Sequence, residues 1–225
     1  MGKRLCVGYV RGRHVSGVFA ESLLELVRDG LLDDGWIYVQ SGPRIASARN
    51  TVVSKFLEAK TADYLLMVDT DMSFTSEQVN HLLSTADEDT ILGGLCFTGD
   101  TEITPTLYRM HEIAGKFKGS DIVWNYPRNA RVEVDATGAA FILIPRKVLA
   151  AMRDVLEEKT AFPWFAESER DLVTIGEDVT FCMRARSLGF KVVVDTRVVI
   201  DHLKERTVNQ DTYLAFRREY TEAHA

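Results

Sequence analysis

Residues 64–74, YLLMVDTDMSF, give the clearest indication of the fold class. Its five apolar residues indicate a buried β-strand that leads directly into Asp69 and Asp71. In extended backbone two residues at this spacing point the same way, roughly 6–7 Å apart along the chain. A cation beside them would make the two carboxylates tolerable, and Mg²⁺ is usually bound by one or two carboxylates plus phosphate oxygens. Two solvated acids at the start of a loop are the alternative.

The residues around this stretch alternate between strand-like and helix-like patterns. Apolar runs predict strands at 4–10, 36–40, 64–69 and 90–97. Helices are predicted between them: one ending at Gly30, one over 44–60, and one opened by a capping box of Thr75 and Gln78. Such alternation predicts a parallel sheet with helices on both faces. Asp69 and Asp71 then lie beyond the carboxyl end of a strand, where open α/β sheets bind ligands.

The pattern changes in the second half of the chain. Residues 101–145 contain short β-like runs without a helix between them, which predicts a small antiparallel or mixed β extension. Further helices are predicted at 146–157 and from Glu177 to about Gly189, followed by a last strand at 190–200. The polar tail, residues 203–225, predicts a surface helix. The fold class is therefore α/β, with a Rossmann-like, mostly parallel sheet in one domain.

Composition narrows the classes of partner and compartment. The 225 residues are 46% hydrophobic and 27% charged, which suits one globular domain. A net charge of −6 argues against indiscriminate binding to nucleic acid or anionic membranes. No apolar run reaches the roughly 18–20 residues that span a bilayer, and no signal peptide is expected. Cys6, Cys96 and Cys182 are far apart and predict buried thiols, so we expect a cytoplasmic protein.

Three later positions carry further chemistry. Gly138 interrupts a strand-like run, which indicates a bulge or a close approach of backbone to ligand. Glu177 and Asp178 open a helix, whose dipole favours negative charge there. His202 follows the last strand at its carboxyl end. Each feature also has an ordinary structural explanation when it is taken alone.

Taken in order, these motifs resemble the nucleotide-sugar glycosyltransferases of the GT-A fold, particularly the inverting family 2 type. The resemblance covers roughly residues 4–203. It implies a single GT-A domain over 1–225, with a nucleotide-binding half at 1–100, an acceptor and catalytic half at 101–203, and a tail at 204–225. The motifs that carry it are Ala48-Arg49-Asn50, Asp69-Thr70-Asp71, Asp135-Ala136-Thr137-Gly138, Gly176-Glu177-Asp178 and His202.

The resemblance assigns a metal and a donor to the acidic pair. It implies that Asp71 binds Mn²⁺ or Mg²⁺, that Asp69 lies near the donor ribose or the metal's water shell, and that His202 completes the metal site. The co-substrate would be a nucleoside-diphosphate sugar. The metal would stabilise the charge that develops on the departing diphosphate.

Other roles follow from the same resemblance. Asp178 would be the general base, with Glu177 as second choice. Arg49 and Asn50 would contact the nucleotide or its phosphates, and Gly138 would line the sugar and acceptor pocket.

Residues 9–14 follow the first strand, where the family holds the base and ribose, so Tyr9 and Arg11 are assigned to the nucleotide. This chain departs from the commoner family pattern there, because Arg11, Arg13 and His14 stand where an acidic residue is usual. The identity of the nucleotide therefore stays open. Trp164 and Phe165 suit either stacking on a sugar ring or packing in the core.

The acceptor also stays open among glycans, proteins and modified nucleic acid. Short chains of this pattern resemble proteins of bacteria and their phages. The family's Gln-x-x-Arg-Trp motif, typical of processive membrane synthases, is absent, which favours single additions.

Three alternatives remain at this point. The run VDTDMS also fits haloacid-dehalogenase-like phosphatases, although two strand–helix units precede it here. A nucleotidyltransferase on a related fold would need a Gly-rich loop after the first strand, and GYVRGRH is poor in glycine. A catalytically inactive sugar-nucleotide-binding protein would retain the same motifs.

Overall fold

The computed structural model describes residues 2–32, 35–99, 102–204 and 210–223. The helices are α1 (Gly17–Arg28), α2 (Ile45–Ala59), α3 (Ser76–Thr85), α4 (Arg146–Leu156), α5 (Glu177–Ser187) and α6 (Gln210–Ala223). The longer strands are β1 (Leu5–Arg11), β2 (Trp36–Gln40), β3 (Tyr64–Val68), β5 (Thr90–Leu95), β8 (Leu107–Ile113), β9 (Lys116–Ile122), β10 (Arg131–Val134), β12 (Phe141–Pro145) and β15 (Lys191–Val199). The short strands are β4 (Met72–Ser73), β6 (Phe97–Thr98), β7 (Thr104–Pro105), β11 (Ala136–Thr137), β13 (Ser168–Arg170), β14 (Val173–Ile175) and β16 (Asp201–His202).

The central sheet has seven strands in the order β10-β15-β5-β12-β3-β1-β2. Strands β1, β2 and β3 run parallel, as do β5 and β15, whereas β12 and β10 run antiparallel to their neighbours. The predicted mostly parallel sheet is therefore confirmed. The third and fourth predicted strands are not neighbours, because the fully buried β12 lies between β3 and β5 and pairs with both.

Helices cover both faces of this sheet, as the alternation predicted. One apolar cluster lies between the sheet and the helices α2, α4 and α5, and the other lies beneath α1 and α3. The side chains that the helices bury in these clusters include Phe56, Leu149 and Phe181 on the first face and Phe19, Leu26 and Leu82 on the second.

Two predicted strand-like runs are divided in the structure. The run 90–97 breaks at Cys96 into β5 and β6, near a register shift between β5 and β15. The strand-like run 131–144 divides into β10, β11 and the start of β12, and β11 joins β8 and β9 in a separate sheet. The break between β10 and β11 falls at Asp135, whose side chain accepts a hydrogen bond from the Met110 N–H at 2.8 Å. An antiparallel extension was expected in this region, and it is observed.

A short strand pair brings the two ends of the candidate site together. β16 pairs antiparallel with β4, with His202 opposite Met72. The Leu203 N–H also donates to the Asp71 carbonyl at 2.8 Å. The segment after the last long strand is therefore fastened to the loop that carries Asp69 and Asp71.

The remaining sequence predictions concern the caps, the tail and the thiols. Thr75 and Gln78 form the predicted capping box at the start of α3. The tail forms α6, as predicted, and no helix within the described ranges is long and apolar enough to cross a membrane. All three cysteines are buried.

Candidate functional site

The loop after β3 and the strand β16 bring a carboxylate and an imidazole into direct contact. His202 Nε2 lies 2.9 Å from Asp71 Oδ2, although the two residues are 131 positions apart in the chain. The Asp71 side chain is nearly half exposed, whereas His202 is largely covered. The pair therefore lies at the surface of a cleft, open on the side of Asp71.

The other nitrogen of His202 determines how this pair is bonded. Nδ1 lies 2.8 Å from the Phe97 carbonyl oxygen, which can only accept a hydrogen bond, so Nδ1 carries a proton. In that tautomer Nε2 carries a lone pair that faces the Asp71 carboxylate at 2.9 Å, an arrangement in which both groups can bind one cation. Histidine metal ligands are commonly oriented by such a bond from the second ring nitrogen.

Asp69 has a different partner from Asp71. Its Oδ1 accepts a hydrogen bond from Arg49 at 2.8 Å, and Arg49 also donates to Glu177 Oε1 at 2.7 Å. Arg49 therefore bridges the acidic loop after β3 and the first turn of α5. These two segments are far apart in the sequence, and the guanidinium holds them together in one site.

The burial of Arg49 explains why two carboxylates are needed. Its side chain is only 4% exposed, and it lies over the Phe165 ring, 5.7 Å from the centroid. A buried cation is costly unless it is paired. Asp69 and Glu177 supply that pairing. Arg49 Nε is buried and has no hydrogen-bond partner among the described residues.

Asp178 follows Glu177 in the first turn of α5 and is more deeply buried than a solvated aspartate. Burial raises the pKa of the Asp178 carboxyl above its ordinary value, and the negative charge of Glu177 raises it further. The Val179 N–H, which donates to Oδ1 at 2.8 Å, and the charge of Arg49 act in the opposite direction. The result is a carboxylate that is a stronger base than a solvated aspartate.

The two carboxylate oxygens of Asp178 have different surroundings. Oδ1 is held by the backbone of its own helix, whereas Oδ2 faces Gly138. A Cβ atom at position 138 would lie 3.6 Å from Oδ2 and 3.5 Å from Thr106 Cγ2. The missing side chain of Gly138 therefore leaves space next to the oxygen that is free to accept a proton.

Most of these groups line a single cleft at the carboxyl ends of the central strands. Asp71 is not among its lining residues but contacts one of them, His202. The volume of the cleft is about 250 Å³. Its lining includes Arg49, Asp69, Glu177, Asp178 and His202 together with Gly138, Ala139 and Ala140. Thus five of the residues proposed from the sequence as catalytic, nucleotide-binding or metal-binding, and the glycine proposed for the sugar pocket, lie in one place.

Several cleft residues were not anticipated from the sequence. Tyr108, Thr98 and Thr106 bring an aromatic ring and two hydroxyls to the same cleft. Burial raises the pKa of the Tyr108 phenol, and the charge of Asp178 raises it further. They come from β6, β8 and the residue before β8, where nothing in the local sequence distinguishes them from ordinary strand residues. Their proximity to Asp178 arises only from the folding of the antiparallel extension.

Asn50 does not line this cleft. Its side-chain amide donates to the carbonyls of Ala46 and Phe165, and its Oδ1 accepts the Trp164 N–H at 3.2 Å. Asn50 thus fastens the loop at 164–165 to α2. The role suggested by the resemblance, contact with the nucleotide, has no geometric support, because the amide is buried and already bonded.

Tyr9 and Arg11 also lie apart from the cleft. The Tyr9 ring is buried against Phe19 and Tyr38, with centroids 5.0 and 5.8 Å away. Arg11 lies over the Tyr38 ring at 4.9 Å. The loop that follows β1 does approach the acidic loop, because the Ser16 N–H donates to the Thr70 carbonyl at 3.1 Å.

The aromatic residues before α5 belong to the core. Trp164 and Phe165 are both buried, and Phe165 stacks on Phe181 with a centroid distance of 4.5 Å. Trp164 Nε1 donates to the Leu149 carbonyl at 2.8 Å. Of the two interpretations that the sequence left open, core packing is the one that the structure shows.

The chemistry of the donor set fits a cation held partly by a substrate. Within the described ranges, no group of three or more His, Cys, Asp or Glu side chains is arranged to hold a metal. Asp71 and His202 supply two ligands, while Asp69 is engaged by Arg49. Two protein ligands suit an ion that completes its shell with water and phosphate oxygens.

A larger depression lies at the opposite end of the sheet. It measures about 920 Å³ and is lined by residues such as Lys3, Asp63 and Arg146. Its cations are used structurally: Lys3 donates to the carbonyls at the end of α3, and Arg146 to those at the end of α2. The smaller cleft is therefore the better candidate for a functional site.

The fold of this chain is similar to that of solved structures, although its sequence matches no known family. No protein-family model matches the chain, and no curated protein matches its sequence. The crystal structure of A197 from STIV is similar with a TM-score of 0.55 and 16% identity, over 92% of this chain and 97% of that one. The crystal structure of GalNAc-T7 with UDP, GalNAc and Mn²⁺ is similar with a TM-score of 0.59 and 11% identity, over 90% of this chain and 44% of that one.

Identities this low establish the fold alone. The fold is of the GT-A type, an α/β sheet with a small antiparallel extension, as the motifs in the sequence suggested. Its site differs from the sequence-based expectation in three respects. Arg49 binds two carboxylates of the chain itself, Asn50 is buried and bonded to backbone, and Tyr9 and Arg11 lie apart from the cleft.

Proposed function

We propose that this protein is a metal-dependent glycosyltransferase that moves a sugar from a nucleoside-diphosphate sugar to an acceptor hydroxyl. The observation that carries the proposal is the contact between Asp71 and His202 at 2.9 Å, in a site whose cleft also contains Asp178. Two potential metal ligands, Asp71 and His202, and a base of raised pKa, Asp178, therefore lie at the carboxyl ends of the strands of a GT-A sheet.

The donor side of the proposed site consists of Asp71 and His202. The orientation of His202 by the Phe97 carbonyl presents Nε2 to a cation. Mn²⁺ or Mg²⁺ held there would act as a Lewis acid for the diphosphate leaving group. The crystal structure of GalNAc-T7, which has a similar fold, contains UDP, GalNAc and Mn²⁺, and this supports the choice of metal and co-substrate proposed here.

The acceptor side depends on Asp178. In the proposed reaction the acceptor oxygen forms a bond to the anomeric carbon while the bond from that carbon to the diphosphate oxygen breaks. The electron pair leaves with the nucleoside diphosphate, and the hydroxyl proton passes to Asp178 Oδ2. The raised pKa of this carboxyl improves it as a base, because proton transfer is most effective when the pKa lies close to the working pH.

The proposal favours a single displacement with inversion. Glu177 is bound to Arg49 at 2.7 Å, so Asp178 rather than Glu177 is available as the base. Deprotonation of the acceptor by one carboxylate supports direct attack from the face opposite the leaving group. Arg49 contributes as a positioning residue, since it fixes both Asp69 and the first turn of α5.

The cleft draws on both parts of the chain. Arg49 and Asp69 come from residues 1–100, proposed as the nucleotide-binding half, whereas Asp178 and His202 come from residues 101–203, proposed as the acceptor and catalytic half. The nucleotide base would lie along the loop after β1, which contacts Thr70 through Ser16. The acceptor could be a glycan, a protein or modified nucleic acid.

The deciding experiment is a thermal-shift screen of nucleoside diphosphates and their sugars, with and without Mn²⁺. A ligand that binds only the folded chain raises the melting temperature through mass action. We expect at least one nucleotide to raise it only when Mn²⁺ is present, and His202→Ala to lose this effect. Asp201→Ala, an exposed neighbour in β16, is the control and should keep it. Metal-independent binding, or no binding to any nucleotide, would contradict the proposal.

A further inference from the structure

The last long strand of the central sheet contains a bulge shortly before His202. Asp195 of β15 lies opposite Gly94 of β5. Val199 of β15 lies opposite Leu95, the next residue of β5. The residues of β15 between these two positions have no counterpart in β5, and they are Thr196, Arg197 and Val198. Bulges commonly occur next to active sites, where they redirect a side chain.

The bulge reverses the alternation of side chains along β15. Before the bulge, Val192 and Val194 face the apolar cluster between the sheet and α2, α4 and α5. At its end and beyond, Val198 and Ile200, which also have even numbers, face the cluster beneath α1 and α3. Successive residues of a strand point to opposite faces, so an odd number of inserted residues produces this exchange. The bulge therefore also sets the side-chain direction of the residues that follow it, His202 included.

A buried carboxylate closes the bulge. Asp195 Oδ1 accepts hydrogen bonds from the Arg197 N–H at 3.1 Å and from Arg197 Nε at 2.8 Å, and Oδ2 accepts one from Arg197 Nη2 at 2.6 Å. His81 of α3 has its Nε2 atom 3.1 Å from the same Oδ2. The Asp195 side chain is fully buried, whereas Arg197 and His81 are partly exposed. A buried charge is costly unless it is paired, and these contacts supply the pairing.

The end of the bulge is fixed to neighbouring elements. Gln78 of α3 donates a hydrogen bond to the Val199 carbonyl at 2.6 Å. The Ile200 N–H donates to the Leu95 carbonyl of β5 at 2.9 Å. The backbone between the bulge and His202 therefore has little freedom, because it is held by a helix on one side and by a strand on the other.

We propose that Asp195 and Arg197 are positioning residues for His202. The ion pair between them closes the bulge, and the bulge places the imidazole where it can meet Asp71 and a cation. This inference rests on the proposed function, in which His202 binds Mn²⁺ or Mg²⁺. The pair acts through the backbone, since neither Asp195 nor Arg197 is among the described residues that line the cleft.

A purely structural role for this pair makes a different prediction. An ion pair that only stabilises the fold would lower the free energy of unfolding when it is broken, and it would leave the metal site of the folded chain unchanged. A positioning pair, once broken, would release the segment that carries His202 while the rest of the sheet stays folded. Amide hydrogen exchange detects local opening of this kind.

The first test follows this segment in the absence of metal. The Leu203 N–H donates to the Asp71 carbonyl at 2.8 Å, so its hydrogen exchange rate reports whether the segment after β15 stays in place. We expect Arg197→Gln to speed exchange at Leu203 at least about tenfold, and to change exchange in the buried strand β3 much less.

Arg131→Gln is the matched control. Arg131 lies opposite Asp195 in β10, and its side chain is exposed to a similar extent as that of Arg197, 34% against 39%. Its own carboxylate partner is Asp87, 3.8 Å away and outside the bulge. This variant should leave exchange at Leu203 unchanged. Arg197→Lys keeps the charge but not the two-pronged contact, so it should fall between the parent and Arg197→Gln.

The second test measures the affinity for Mn²⁺ alone, from the electron paramagnetic resonance signal of the free ion. We expect Arg197→Gln to weaken Mn²⁺ binding about tenfold, the lower end of the range for residues that orient metal ligands. Asp195→Asn keeps the size of the side chain but loses the charge that holds Arg197, and it should act in the same direction. Arg131→Gln should bind Mn²⁺ as the parent does.

Either of two results would overturn the proposal. One is exchange at Leu203 that is equally slow in the parent and in Arg197→Gln. The other is faster exchange at Leu203 with the Mn²⁺ affinity of the parent, which would limit the pair to a structural role. If Arg197→Gln does not fold, Arg197→Lys carries both tests. A parent chain that does not bind Mn²⁺ would contradict the proposed function instead, and the exchange rates would still decide whether this pair holds the segment in place.

Discussion

His202 Nε2 lies 2.9 Å from Asp71 Oδ2, across 131 positions of the chain. The pairing of β16 with β4 holds this contact in place, and the Phe97 carbonyl fixes the orientation of the imidazole. A flexible surface histidine would have none of these constraints. This contact supports the metal-dependent part of the proposed function.

Asp71→Ala should remove metal-dependent binding of the donor. Mutation of a residue that only hydrogen-bonds to a metal ligand typically lowers metal affinity about 10- to 100-fold. Loss of the ligand Asp71 itself should lower it by at least that factor. The measurement is titration of the nucleotide with and without Mn²⁺. Donor affinity equal to that of the parent in the presence of Mn²⁺ would remove Asp71 from the metal site.

Asp178→Asn should retain donor binding and lose transfer. The amide is the same size but cannot accept the proton, and a general base typically contributes about 10²- to 10⁴-fold to the rate. Single-turnover rates and donor affinity should be measured on the same preparation. Transfer at the parent rate would show that another group is the base, and Glu177→Gln would then be the next variant to test.

Stability should depend on pH through Asp178. Its pKa is raised in the folded state, so the folded chain binds this proton more tightly than the unfolded chain does. Its contribution to the free energy of unfolding is therefore full below the ordinary aspartate pKa and is lost as the pH rises through the raised value. Asp178→Asn should lack this decline and be more stable than the parent near neutral pH. The measurement is the free energy of unfolding in urea for both proteins across the acidic pH range. The same pH dependence in the parent and in Asp178→Asn would contradict this prediction.

Arg49→Ala should destabilise the chain strongly. Removing one partner of a buried ion pair typically costs about 3–5 kcal/mol, and here two carboxylates lose the same cation. The partial exposure of Asp69 and Glu177 favours the lower end of this range. Arg44→Ala, an exposed residue just before α2, is the control and should change the free energy of unfolding by less than about 0.5 kcal/mol. If Arg49→Ala and Arg44→Ala change the free energy of unfolding in urea equally, the bridging contacts of Arg49 do not stabilise the fold.

Gly138→Ala should preserve the fold and impair transfer. The new Cβ would be 3.6 Å from Asp178 Oδ2, an ordinary contact that needs no rearrangement, yet it would occupy the space beside the base. Gly94→Ala is the informative contrast, because its Cβ would lie 2.8 Å from Ile200 and 2.9 Å from Phe141. That overpacking should cost about 1–3 kcal/mol of stability. If Gly138→Ala transfers sugar normally, the open space is not part of the acceptor pocket.

The elements and their alternation follow from the amino-acid sequence alone. The apolar runs at 64–69 and 90–97, the helical spacing in 44–60 and the capping box at Thr75 all act over short ranges, where periodicity and hydrogen bonding are local. The mostly parallel sheet follows from them because consecutive strand–helix units have few ways to pack. The motifs Asp69-Thr70-Asp71 and Gly176-Glu177-Asp178 were also visible, since each occupies three adjacent positions.

Which of these residues meet depends on how the whole chain folds. β12 inserts between β3 and β5 because its fully apolar sequence can be buried on both sides, a pairing that no local pattern specifies. Arg49 joins Asp69 to Glu177 and Tyr108 enters the cleft for the same reason: side chains distant in the chain share a site only when the strands that carry them are in register. Local chemistry selects the elements, and long-range packing selects their neighbours.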